Sequence, residues 1–152
     1  MAPRSEQQNV ALRQESSARI LEAALSLFAR FGFERTSVRM IAREAGVSQG
    51  LLYNYFTGKD DLLRAIFQRS LSDVRVSFDS LHDAAAPATQ LERYIRRSFE
   101  ILQQHQDFWR LFYSLRMQPA VLAGLRDDIA VFVEGVNQTL TAQFQAMGEP
   151  NP

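Results

Sequence analysis

Apolar residues recur along this chain every three or four positions and almost nowhere in strict alternation, so the pattern predicts helices throughout and no strand. Ile20, Leu21, Ala24, Leu27, Phe28 and Phe31 mark one face of a first helix, stopped at Gly32. Val38, Ile41, Ala42 and Ala45 mark a second, with Thr36 or Ser37 as its N-cap and Gly46 as a left-handed C-terminal stop. A third runs from Ser48 to about Phe56, anchored by Leu52 and Phe56, four residues apart. A fourth begins near Lys59, with Asp60 and Asp61 favourably placed against the helix dipole, and extends past Val74 and Phe78 as far as His82.

The segment from Asp83 to Thr89, small residues broken by Pro87, is the clearest linker. Beyond it Leu91, Tyr94, Ile95, Phe99 and Leu102 stand at helical spacing on a fifth helix. A sixth, from Asp107 to Met117, is dense in aromatics: Phe108, Trp109, Phe112 and Tyr113. Pro119 starts a seventh, which carries Leu122, Leu125, Ile129, Phe132, Val133, Val136 and Leu140 and fades at Gly148. The expected fold class is all-α.

Composition narrows this picture. A chain of 152 residues supports one good core or two small ones sharing a helix. It has no cysteine, which excludes disulfides and thiolate metal ligands. No apolar run approaches a membrane span, and the first residues are polar with no hydrophobic signal segment behind them, so a soluble cytoplasmic protein is expected. The net charge is zero but unevenly divided: residues 1–59 carry eight Lys/Arg against five Asp/Glu, residues 60–152 nine against twelve. Nucleic-acid affinity is therefore expected at the N-terminal end.

That end holds the most informative stretch, Thr36 to Lys59. Two short helices joined at Gly46 form a helix-turn-helix, which places its second helix in the major groove of DNA. With Leu52 and Phe56 turned inward, a rotation of about 100° per residue puts Gln49, Gly50, Tyr53 and Asn54 on the opposite arc. Gln49 and Asn54 pair a donor with an acceptor and can read a base edge, adenine in particular. Gly50 lets the backbone approach the groove floor. Ser48 can cap the third helix and lie near a phosphate; Tyr53, Tyr55 and Lys59 can reach phosphates as well. Ser37, Arg39 and Arg43 extend this surface along the second helix, and Arg4 sits in a polar arm suited to a minor groove. The ordinary alternative for Tyr53 and Tyr55 is packing against the first helix, and for the arginines a solvated helix face.

Arg19–Gly32, Thr36–Ser48, Leu52-Tyr-Asn-Tyr-Phe56 and Lys59-Asp-Asp-Leu-Leu63, in that order, resemble the TetR (tetracycline-repressor-like) family over about residues 16–70. The resemblance implies a three-helix DNA-binding head joined by a long helix to a helical ligand-binding and dimerisation body. It also implies that Thr36, Gln49, Tyr53, Tyr55 and Lys59 touch DNA. The corresponding organisation is a flexible N-terminal arm over 1–15, a helix-turn-helix domain over 16–62 and the body over 63–152. The family has Ser or Asn where this chain has Gly58, which weakens the cap of the fourth helix. Two further helices normally follow and build the dimer's four-helix bundle. The chain is accordingly expected to be a piece of a longer protein, the alternative being a short member that dimerises through helices six and seven.

The second candidate site is the aromatic group after the linker. Phe99, Trp109, Phe112, Tyr113, Met117 and Phe132 are the expected ligand-binding residues, with core packing as the competing role. Such a lining suits a small lipophilic or aromatic effector; Arg96, Arg116 and Gln118 are candidate polar anchors, with ordinary surface as their more expected role. No catalytic constellation, metal-ligand spacing or cofactor motif is expected: His82 and His105 lie on different helices, and Asp127-Asp128 reads as solvated surface. The function expected is a DNA-binding transcriptional regulator, a ligand-released repressor that binds a palindromic double-stranded DNA operator as a homodimer. An activator with the same head, or a small-molecule binder whose head does not read DNA, are the alternatives.

Overall fold

The computed structural model describes residues 6–79 and 86–148, with side chains at residue 8 and over 10–75 and 86–148. Arg4, the side chain of Phe78, His82 and the Asp83 end of the linker lie outside the described residues. All regular structure among the described residues is helical. The helices are α1 (Glu6–Phe31), α2 (Val38–Glu44), α3 (Gln49–Tyr53), α4 (Lys59–Asp79), α5 (Pro87–Gln104), α6 (Gln106–Leu115), α7 (Pro119–Ala123) and α8 (Arg126–Ala146).

Local chemistry sets the boundaries in the head. Gly32 takes φ of 84°, and its N–H bonds the Phe28 carbonyl at 2.9 Å, an αL stop for α1. Ser37, not Thr36, caps α2, its hydroxyl accepting from the Met40 N–H at 3.2 Å. Gly46, at φ of 66°, ends α2 in a Schellman motif: Val47 N–H bonds Ala42 O at 2.9 Å and Gly46 N–H bonds Arg43 O at 3.2 Å. Gly58 has no side chain with which to cap α4, and the turn before the helix is tied to it from the other direction. Asp61, in the first turn, reaches back and accepts from the Thr57 N–H at 2.8 Å and from its hydroxyl at 3.3 Å.

Three expectations are corrected. Residues 6–15, expected as a flexible arm, are the first turns of α1. Their described side chains are exposed, so no apolar stripe marks them, and good helix formers such as Ala11, Leu12, Arg13 and Gln14 extend the helix without burial. The linker ends at Ala86 rather than Thr89, since Pro87 occupies the first turn of α5, where its missing N–H costs nothing. The long seventh helix is two. Bonds from Gly124 N to Val121 O (3.3 Å) and Leu125 N to Leu122 O (3.0 Å) tighten the chain into a turn that drives Leu125 into the core.

One hydrophobic core runs through the head and into the body. Ile20, Ala24, Leu27 and Phe28 of α1 meet Ile41 and Ala42 of α2 and Leu52 of α3, while Leu62, Leu63, Ile66 and Phe67 of α4 continue the cluster. Phe108, Leu111 and Leu115 of α6 close it against α1. Phe67 and Phe108 meet edge to face at 5.1 Å. The core is therefore continuous across the 62–63 boundary. Farther out, α5 lies along α8 and also touches α4, and Gln143 Nε2 donates to Gln90 Oε1 at 2.8 Å across the α5–α8 seam.

Candidate nucleic-acid interface

The surface of α3 divides by side. Leu52 is buried in the core, as is Phe56 just beyond the helix, whereas Gln49, Gly50, Tyr53 and Asn54 are exposed. Ser48 caps α3, its hydroxyl accepting from the Leu51 N–H at 3.1 Å. Tyr53 is 54% exposed. Alongside, Ser37, Arg39, Met40 and Arg43 are exposed on α2. The helix is held to the core by one side and presents amide, hydroxyl and backbone groups on the other, the chemistry of a base-reading helix.

Three of the expected contact residues face elsewhere. Thr36 is only 1% exposed, and its hydroxyl donates to the carbonyls of Gly32 (2.8 Å) and Leu27 (3.3 Å). It closes the C-terminus of α1 instead of facing out, because that helix end leaves carbonyls that need a donor. Tyr55 is half-buried and packs against the core cluster, walling a shallow notch with Arg13, Gln14 and Ser17 of α1 and Arg69 of α4. Lys59 is half-buried, and its ammonium donates to the carbonyls of Phe33 (2.9 Å) and Glu34 (3.4 Å).

The body holds a cavity of about 680 Å³, but not where the aromatic residues pointed. It lies between α4, which contributes Gln68, Leu71, Ser72 and Arg75, Tyr94 of α5, and α8 with Asp127, Asp128, Phe132 and Val136. Phe132 is the expected ligand residue that lines it. Trp109 and Phe112 are half-buried and pack on Phe108, joining α6 to Phe67 of α4. Phe99, Tyr113 and Met117 are 64%, 60% and 85% exposed and face solvent. Helix α6 turns its aromatic face to α1 and α4 because the head supplies the apolar surface it needs. Arg116 is exposed, and Arg96 makes a surface ion pair with Glu92 at 2.9 Å. Gln118 is half-buried, with its side-chain oxygen enclosed and unpartnered.

Asp127 and Asp128, expected as plain surface, stand at this cavity, and Asp128 accepts from Gln68 Nε2 at 3.3 Å. The cavity residues on α4 carried no sequence signal, since Gln68, Ser72 and Arg75 look like an ordinary solvated face. Burial raises the Tyr94 phenol above its ordinary pKa of 10.0, keeping the hydroxyl neutral at the cavity wall. Among the described residues no group of three His, Asp or Glu side chains is placed to hold a metal, and no helix is long and apolar enough to cross a membrane.

Residues 20–66 match the model of the bacterial regulatory proteins of the tetR family. The transcriptional regulator RutR of Escherichia coli K12 is 31% identical over 117 residues, 76% of this chain and 55% of that protein. The transcriptional repressor Rv3405c of Mycobacterium tuberculosis H37Rv is 37% identical over 90 residues, 59% of this chain and 46% of the repressor. The chain thus spans about half the length of the curated relatives it matches. Among solved structures, a TetR-like regulator from Rhodococcus sp. RHA1 superposes with a TM-score of 0.72 at 24% identity, over 96% of this chain and 73% of the other. FadR of Bacillus subtilis, in complex with stearoyl-CoA, gives 0.67 at 22% identity, over 88% and 74%. The match falls on α1 to α4, where Gly32, Gly46, Ser37 and Ser48 set the geometry of the head, and the chain belongs to the tetR family of bacterial regulatory proteins.

Proposed function

We propose that this chain is a DNA-binding transcriptional regulator, a repressor that binds a palindromic operator as a homodimer and leaves it when a small molecule occupies the body. The observation that carries this reading is the two-sided α3: Leu52 fixed in the core, Gln49, Gly50, Tyr53 and Asn54 free on the outside. The contact set is Ser37, Arg39, Ser48, Gln49, Gly50, Tyr53 and Asn54. In a dimer the two copies of α3 enter successive major grooves about 34–36 Å apart, or a small multiple of that distance. Exposed Ile95, Phe99 and Leu102, one stripe along α5, support association through the body.

The cavity between α4, α5 and α8 is the effector site in this proposal. Leu71, Phe132 and Val136 suit a lipophilic or aromatic effector. Stearoyl-CoA, bound in the FadR structure, makes long-chain acyl thioesters a first class to try. An effector releases DNA only by binding the DNA-incompetent arrangement more tightly.

The test is selection of bound sequences from random DNA, followed by titration of variants. Gln49→Ala should alter preference at one base position per half-site by about 1–3 kcal/mol. Tyr53→Ala should weaken every selected sequence alike. Unchanged affinity and preference in both variants would remove α3 from the interface. Selected sequences without two-fold symmetry would remove the dimer.

A further inference from the structure

Lys59 stands where its own helix least favours it. A cation at a helix N-terminus opposes the dipole, and the neighbouring Asp60 and Asp61 have the favourable sign there. Its ammonium leaves α4 altogether. It crosses to the loop after α1, donates to Phe33 O at 2.9 Å and Glu34 O at 3.4 Å, and stands 4.6 Å from the centre of the Phe33 ring. These carbonyls lie just past the C-terminus of α1, the end of a helix that attracts a cation. The Phe33 ring is itself buried in the core, 5.1 Å from Phe28.

The same loop is held from its other side by Thr36, whose hydroxyl occupies the carbonyls of Gly32 and Leu27. Ser37, the next residue, starts α2. The segment that decides where α2 begins is therefore clasped between a threonine of its own and the first residue of α4. Farther along α4, Gln68 to Arg75 line the cavity, about 14–24 Å from Lys59 at 1.5 Å per residue.

We infer that Lys59 is a positioning residue, a latch by which α4 sets the placement of α2, and through α2 of α3, rather than a charge that touches DNA phosphate. For its effect on DNA the inference rests on the DNA-binding proposal above. Movement of α4 against the loop breaks two bonds to a turn whose Phe33 carbonyl also accepts from the Thr36 N–H at 3.3 Å, so a shift of α4 is felt at the residue just before the cap of α2.

The discriminating variant is Lys59→Met, which keeps an apolar stem over Phe33 and loses charge and donors. On the DNA selected from the random pool, affinity should fall about tenfold. The slope of log affinity against log salt should stay as in the wild type. A phosphate contact predicts instead a slope shallower by about 0.9, and that result overturns the latch. In the free protein, amide exchange over residues 33–40 should quicken in Lys59→Met while amides of α6 and α8 keep wild-type rates. Lys59→Arg, which still donates, should restore most of the protection and affinity. Unchanged exchange at 33–40, or loss of protection spread evenly through every helix, also overturns it. If the wild-type chain selects no DNA, the DNA-binding proposal fails, and exchange in the free protein still decides whether Lys59 holds the loop.

Discussion

The head and the body use the same helical spacing of apolar residues and bury it very differently. In α1 to α3 the central anchors meet neighbours: Phe28, Ile41 and Leu52 are fully enclosed, and only at the end of α1 does Phe31 of the same face stand 44% exposed. In α5 one stripe goes inward through Tyr94 and Ile101, while the adjacent stripe, Ile95, Phe99 and Leu102, stands in solvent. A helix joined to its neighbours by a tight glycine turn has its partner dictated by the turn. One reached through a long connection has two apolar sides and no local rule for choosing between them. Periodicity reports that a face is apolar; it does not report what covers it.

Paired truncations sharpen that contrast most. Phe28→Ala, in the enclosed region, should lower unfolding free energy by about 3–5 kcal/mol in a urea titration. Phe99→Ala, on the open stripe, should change it by less than about 0.5 kcal/mol at low protein concentration. A large loss at Phe99 that grows with protein concentration would show the stripe covered by a second copy and erase the difference between the two regions.

A smaller effect is expected where the head is closed by polar groups. Thr36→Val removes the hydroxyl that serves the carbonyls of Gly32 and Leu27 without changing shape, and should cost about 1–3 kcal/mol by thermal unfolding. A neutral result would mean that these helix-end carbonyls find water instead. The smallest effect belongs to the body. Burial raises the Tyr94 pKa, so its contribution to stability is fully present below pH 10.0, the ordinary value, and is lost as pH rises through the folded value. Alkaline difference spectra should show a late-ionising phenol component that is absent in Tyr94→Phe.

Much of the head was legible because its signals are local. Gly46 requires positive φ, Ser48 is a cap, and Leu52 and Phe56 share a side, so the exposed face of α3 follows from four residues. Thr36 and Ser37 were indistinguishable as caps, since either hydroxyl fits; only the open carbonyls at the end of α1 decide which turns inward. Lys59 looked like a free charge because its acceptors lie more than twenty residues away in the chain.

The body was less legible for the same reason. Nothing at Gly124, whose φ of −69° any residue can adopt, signals a break between α7 and α8. The aromatic group on α6 fits a ligand wall or a packing face, and periodicity cannot decide between them because it does not say that α1 and Phe67 stand opposite to receive it. Cavity residues such as Gln68 and Asp128 are polar and spaced like any wet face, and only their meeting across two helices gives them meaning.

The packing of α6 on α1 has a consequence for protein engineering. A regulator whose DNA reader were an independent module could be rewired by grafting, joining one head to another protein's sensor at the start of α4. Here Phe108, Leu111 and Leu115 are part of the head's own interior, so a graft cut there leaves an opened core on one piece and an orphaned aromatic helix on the other. Functional chimeras should have to carry α6, or a redesigned α1 surface, along with α2 and α3.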